Sequence, residues 1–198
     1  MILFESHITL SKLERNELDN FITFCKNIHG KPLWIELSRG DFIQQPMLNL
    51  LSKQSQISGA LNESRRHSNS LIERGWEVER IKIEIPFSDL NRYLTSHAQH
   101  NVIYHEWHGK IQLHSRIELE KVCERNGVHL ARNALKLNEQ IHFITLREFA
   151  SPELFQLRLK QLKLDLESGP WPLLKEQAES CVFDSNLYLD HGWLEPAQ

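Results

Sequence analysis

Cysteine is scarce. Three occur in 198 residues, Cys25, Cys123 and Cys181, far apart and with no C-x-x-C pair. That spacing excludes a disulfide framework, and free thiols in a reducing cytosol are the reading. Long apolar runs are missing as well: nothing approaches the roughly 20 residues that a membrane-spanning helix needs. The apolar opening Ile2-Leu3-Phe4 is broken at once by Glu5 and His7, too short for a signal-peptide core. The expectation is a cytoplasmic protein with no membrane partner. An excess of one charge is also absent; a formal net charge of -3 makes no case for a nucleic-acid polymer as partner. Neither a phosphate-cradling glycine loop, nor G-x-S-x-G, nor zinc-finger spacing occurs.

What remains is ordinary globular material, 40% hydrophobic and 25% charged, enough for one large domain or two small ones. Within it one pattern occurs twice. Ile2-Leu3-Phe4-Glu5-Ser6-His7-Ile8-Thr9-Leu10 and Ile103-Tyr104-His105-Glu106-Trp107-His108-Gly109-Lys110-Ile111 share a hydrophobic lead-in, Glu, one spacer and His, 101 positions apart. Residues two apart on a strand point to one face, so each copy aims a carboxylate and an imidazole together.

Periodicity extends the repetition. Alternation predicts strands over 2–10, 33–38 and 80–85, with Pro46–Leu50 as a short edge strand. Helical spacing predicts one helix capped at Ser11 and stopped by Gly30, and another over about 59–74. After a linker at 86–100 the order recurs: strands at 102–113, 128–136, 140–148 and from 181, helices at 115–126 and 151–168. Cys25 matches Cys123, Gly30 matches Gly127, and Leu37-Ser38-Arg39 matches Leu130-Ala131-Arg132. The fold expected is α+β: tandem duplicated ferredoxin-like (βαββαβ) units, 1–85 and 101–198, packed as one body with antiparallel sheets facing a shared polar cleft. The cleft faces would carry Leu3, Glu5, His7, Thr9, Arg80, Lys82 and Glu84 from one unit. The other would add Tyr104, Glu106, His108, Lys110, Thr145, Arg147 and Asp184. Ile81, Ile83 and Ile85 would lie under the helices.

His7-Ile8-Thr9-Leu10 resembles the His-x-Thr-x signature of the two-histidine phosphoesterases, themselves a duplicated bilobal α+β fold with one motif per lobe. The resemblance implies hydrolysis of a phosphate-containing, nucleotide-type ligand without a cofactor. His7 and His108 would be the acid–base pair, supported by Glu5 and Glu106. Thr9, Arg80, Lys82 and Lys110 would hold the anion, with Arg39 and Arg132 as a clamp at matched strand ends. The second copy carries Lys110 where that family has Ser or Thr. The residues alone allow two other readings. Glu5, His7, Glu106 and His108 form a ligand set suited to Zn, Mn or Fe, or the cleft binds a small anionic ligand or a partner without catalysis.

Overall fold

The computed structural model describes residues 1–96, 102–113, 116–136, 138 and 140–193. The end of the expected linker (97–100), the expected helix start at 115 and residues 194–198 of the expected second unit lie outside them. Eight strands alternate with helices: β1 (Ile2–Leu10), α1 (Leu18–Asn27), β2 (Lys31–Leu37), β3 (Gln44–Gln54), α2 (Ile57–Ile72) and β4 (Val78–Pro86). Helix α3 (Leu90–Ser96) follows on part of the stretch read as linker and buries Tyr93 edge-on against Phe4. Then come β5 (Tyr104–Gln112), α4 (Arg116–Asn126), β6 (His129–Asn133), β7 (Ile141–Glu148), α5 (Pro152–Glu167) and β8 (Leu173–Asp184). The first helical turn is not capped by Ser11, whose hydroxyl donates to Glu77; the capping box lies one turn on, between Glu14 and Glu17.

The strands close into one antiparallel barrel in the order β1-β3-β2-β6-β7-β5-β8-β4. This corrects the expected fold class: there are no two open sheets facing each other across a cleft. The free edges meet instead. β2 pairs with β6 through Ile35↔Asn133, Glu36↔Arg132 and Leu37↔Ala131, and β4 pairs with β8 from Lys82↔Asp184 to Pro86↔Glu179. An unpaired strand edge leaves a row of donors and acceptors unsatisfied, and closure removes every edge. β3 is correspondingly an 11-residue strand flanked on both sides, not a short edge.

Alternation then sorts each strand into an outer row under helices and an inner row facing the lumen. Outside, α1 buries Phe21, Phe24 and Cys25 on Ile8, Trp34, Leu48 and Trp76. α2 and α3 cover Phe4, Ile83 and Ile85, so the isoleucine row of β4 does lie under helices. α4 and α5 cover Trp107, Leu130, Ile144 and Leu146. Large apolar side chains of this kind contribute roughly 1.5–3 kcal/mol each when fully buried. Gly109 belongs to this packing: the Trp107 indole lies over it, and a Cβ there would stand 2.1 Å from the ring. Trp107 is pinned in place by Nε1 donating to Glu176 at 2.7 Å. Gly109→Ala is therefore expected to cost about 1–3 kcal/mol by overpacking, read as a lower urea midpoint with unchanged m-value.

Candidate functional site in the barrel lumen

One end of the lumen is closed by the segment after β8. A 3-10 turn at Leu187–Asp190 and the indole of Trp193 fold back over Leu37, Ala131 and Ile35. Asp190 points inward, accepting from Arg80 Nη1 at 2.9 Å and Arg147 Nη2 at 2.6 Å, and from Gln45 Nε2 at 3.3 Å. Arg80 also forks onto Asp184. Tyr104 accepts from Arg80, donates to Asp184 at 2.7 Å, and lies 4.1 Å beneath the Arg147 guanidinium. Burial would raise the Asp190 carboxyl, but the two guanidiniums hold it down at about 2.

The middle of the lumen is a relay of opposite charges. Glu106 accepts from Arg147 Nε at 2.6 Å and from Lys82 Nζ at 2.8 Å; Lys82 also stands 3.0 Å from Glu84. Burial pushes the Glu106 carboxyl up, and Arg147 and Lys82 overcome that to hold it well below the usual carboxylate range. Glu84 is fully buried, and neither of its oxygens receives a hydrogen bond of good geometry. Its partners are the Lys82 ammonium and His7 Nε2, the latter at 3.1 Å. His108 brings Nε2 to 3.4 Å from Glu106 while its Nδ1 is held by the Thr145 hydroxyl at 3.0 Å.

Toward the open end, Glu5 accepts from Asn49 and from Gln177, and Gln177 also donates to Glu179 at 2.8 Å. Burial, with the charges of Glu84 and Glu5 close by, pushes the Glu179 carboxyl up to about 10, so it keeps its proton at neutral pH. Six carboxyls (Glu5, Glu84, Glu106, Glu179, Asp184, Asp190) thus share the lumen with three permanent cations, Arg80, Lys82 and Arg147.

Of the residues expected at the site, Glu5, His7, Thr9, Arg80, Lys82, Glu106 and His108 all line the lumen. The four expected metal ligands do not converge. The ligand atoms that lie within 4.8 Å of one another belong to Glu84, Glu106 and His108. Arg80 and Lys82 are occupied by carboxylates. Arg39 and Arg132 are elsewhere: Arg39 bonds His129 at 2.6 Å beside Trp193, and Arg132 pairs with Glu36 on the outer face. Burial and Arg39 lower the His129 imidazole to about 4. Sequence reasoning missed Asn49, Gln177, Glu179 and Asp190. For Gln177 and Glu179 the signal is the period-two row Lys175, Gln177, Glu179, which the expected strand start at 181 hides; Asn49 and Asp190 lie outside that row. β8 also carries a bulge at Val182 that breaks the alternation and turns both Cys181 and Asp184 inward.

No protein-family model and no curated protein matches the chain. Among solved structures, one similar chain is a provisionally assigned chlorite dismutase, 10% identical, with a TM-score of 0.31 over 92% of this chain and 96% of that one. Another is a provisionally assigned monooxygenase from Lactobacillus acidophilus NCFM, 11% identical, with a TM-score of 0.32 over 92% and 94%. Likenesses of this size do not bear on the reaction. Among the described residues no helix is long and apolar enough to cross a membrane, and the three cysteines are free and buried.

Proposed function

We propose that the barrel lumen is a divalent-metal centre held by Glu84, Glu106 and His108, and that the protein is a metal-dependent enzyme acting on a small substrate admitted at the open end. The observation that carries this reading is the position of Lys82. Its ammonium stands 2.8 and 3.0 Å from the two carboxylates that converge with His108, so a cation already bridges two of the three ligand side chains. Carboxylate and imidazole suit Zn, Mn or Fe(II). The 3.4 Å between His108 Nε2 and Glu106 equals the edge of a tetrahedron with bonds of about 2.1 Å. Thr145 on Nδ1 supplies the outer contact that fixes the ring and directs Nε2 toward Glu106. Such a metal would polarise a substrate oxygen or activate a bound water, and His7, on the far side of Glu84, is placed as a proton acceptor beside it. Three free buried thiols are in keeping with a reducing, cytoplasmic setting.

Thermal unfolding after chelation, with Mn²⁺, Zn²⁺ or Fe²⁺ added back, tests this. A metal at a hundred times its Kd stabilises by about 2.7 kcal/mol, roughly 5–10 °C for a chain of this size. Glu84→Gln and His108→Ala should abolish the shift. Lys82→Met, which removes the resident ammonium, should enlarge it. No shift with any of the three ions, or an equal shift in Glu84→Gln and His108→Ala, overturns the proposal.

A second reading keeps the phosphoesterase resemblance, and Thr145 favours it. The hydroxyl missing at position 110 is supplied across the strand pair, where Thr145 bonds His108, so each imidazole has a threonine nearby. Under that reading His7→Ala or His108→Ala lowers hydrolysis of a cyclic nucleotide by roughly 10²–10⁴-fold without any metal. The metal reading stands ahead because Arg80, Lys82 and Arg147, the cations beside the two histidines, are already committed to carboxylates.

A further inference from the structure

We infer that the open end of the barrel is a binding site for an organic carboxylate, an anion with an apolar body, held by Lys110 and Lys175. The inference names the substrate class for the centre proposed above and rests on the lumen being the functional site. Glu106 and His108 on β5 face the lumen, so Lys110, two residues further, continues that row. On β8, Glu179 and Gln177 face the lumen and bond each other and Glu5, and Lys175 continues that row. Lys110 and Lys175 are direct cross-strand partners.

Like charges placed opposite each other weaken a strand pair, and among the described residues neither lysine has a carboxylate partner. They stand at the rim of a lumen rich in carboxyls, which could have supplied one. An anion between the two ammonium groups removes the repulsion and gains two charge-assisted hydrogen bonds. The same rim exposes apolar surface on its inner row. Leu51, two residues beyond the lumen-facing Asn49, is 62% exposed, and Phe143 stands directly opposite Lys110 on β7. The bulge between Lys110 and Ile111 widens the strand pair at this point. A ligand lying here has its acid group on the lysines, its body against Leu51 and Phe143, and its far end directed at His108, whose side chain is 29% exposed.

Thermal unfolding at constant ionic strength with hexanoate, hexanol or inorganic phosphate, each with and without Mn²⁺, tests the site. Hexanoate is expected to raise the midpoint by several degrees in the wild type, hexanol and phosphate by less than a third as much. The double variant Lys110→Gln/Lys175→Gln should lose at least three-quarters of the hexanoate shift while keeping its Mn²⁺ shift. Lys175→Gln alone, at an exposed position that folding does not need, should lose about half. An equal hexanoate shift in wild type and double variant overturns the inference, as does phosphate matching hexanoate. Failure of the metal reading looks different: the Mn²⁺ shift is missing from every variant while the hexanoate result is unaffected.

Discussion

Replacing Asp190 with alanine is expected to lower the unfolding free energy by about 3–5 kcal/mol, the usual consequence of stripping the partner from a buried charge. Asp190 is 2% exposed and takes hydrogen bonds from both Arg80 and Arg147. Without it Arg147 keeps Glu106 as its carboxylate partner, Arg80 keeps Asp184 and Tyr104, and two buried guanidiniums lose the carboxylate they share. For a chain of this size the thermal midpoint should fall by on the order of 10 °C. Asp190→Asn should do nearly as much, since it preserves the shape and loses the charge. Chemical unfolding of both variants checks this. A cost below about 0.5 kcal/mol, the usual effect of a surface substitution, would mean that the segment 187–193 does not close the barrel.

The second large effect has the opposite sign. Glu179 holds its proton to about pH 10 in the folded protein, against an ordinary value of 4.5. Between those values the native state binds a proton that the unfolded chain has released. Stability therefore falls as pH rises, by up to about 1.4 kcal/mol per pH unit from this group alone. Its contribution is fully present below pH 4.5 and is lost progressively toward pH 10. Glu179→Gln mimics the neutral acid: its amide oxygen can still accept from Gln177 and its NH₂ can donate to Glu5. The variant should match wild type near pH 4.5, exceed it by roughly 1–3 kcal/mol at pH 7, and show a flatter profile above that. A variant no more stable than wild type at pH 7 and 8 would show that Glu179 is ionised in the fold.

Both effects come from residues that were hard to find in the chain, and the reason is physical. The inner rows of β1 and β4 were legible: Glu5-x-His7-x-Thr9 and Arg80-x-Lys82-x-Glu84 alternate cleanly against Ile8, Ile81 and Ile83, and period two is enough to assign a face. Arg147 and Asp184 followed in the same way. Closure was not legible, because it depends on edge pairing between residues such as Leu37 and Ala131, almost a hundred positions apart. No local pattern encodes that. Closure is also what turns a polar sheet face, open to water in the expected fold, into a lumen where Glu84 and Glu106 are fully buried. Asp190 follows β8 in a stretch whose spacing carries no period, so no face can be assigned to it from the sequence. Only the fold-back over the barrel end brings it to Arg80. The Glu-x-His copies mark the right strands, yet their roles differ: Glu106 is clamped by Arg147 and Lys82, whereas Glu5 is held by the neutral amides of Asn49 and Gln177. The third residue of the proposed metal set, Glu84, lies outside both copies.

The most direct measurement is anomalous diffraction from crystals soaked with Mn²⁺ after chelation. One strong peak is expected inside the barrel, about 2.0–2.2 Å from a carboxylate oxygen of Glu84, one of Glu106 and Nε2 of His108, with the Lys82 ammonium moved off the carboxylates it contacts in this structure. Lys82 still bridging Glu84 and Glu106, with no peak in the lumen at saturating Mn²⁺, would contradict the metal reading.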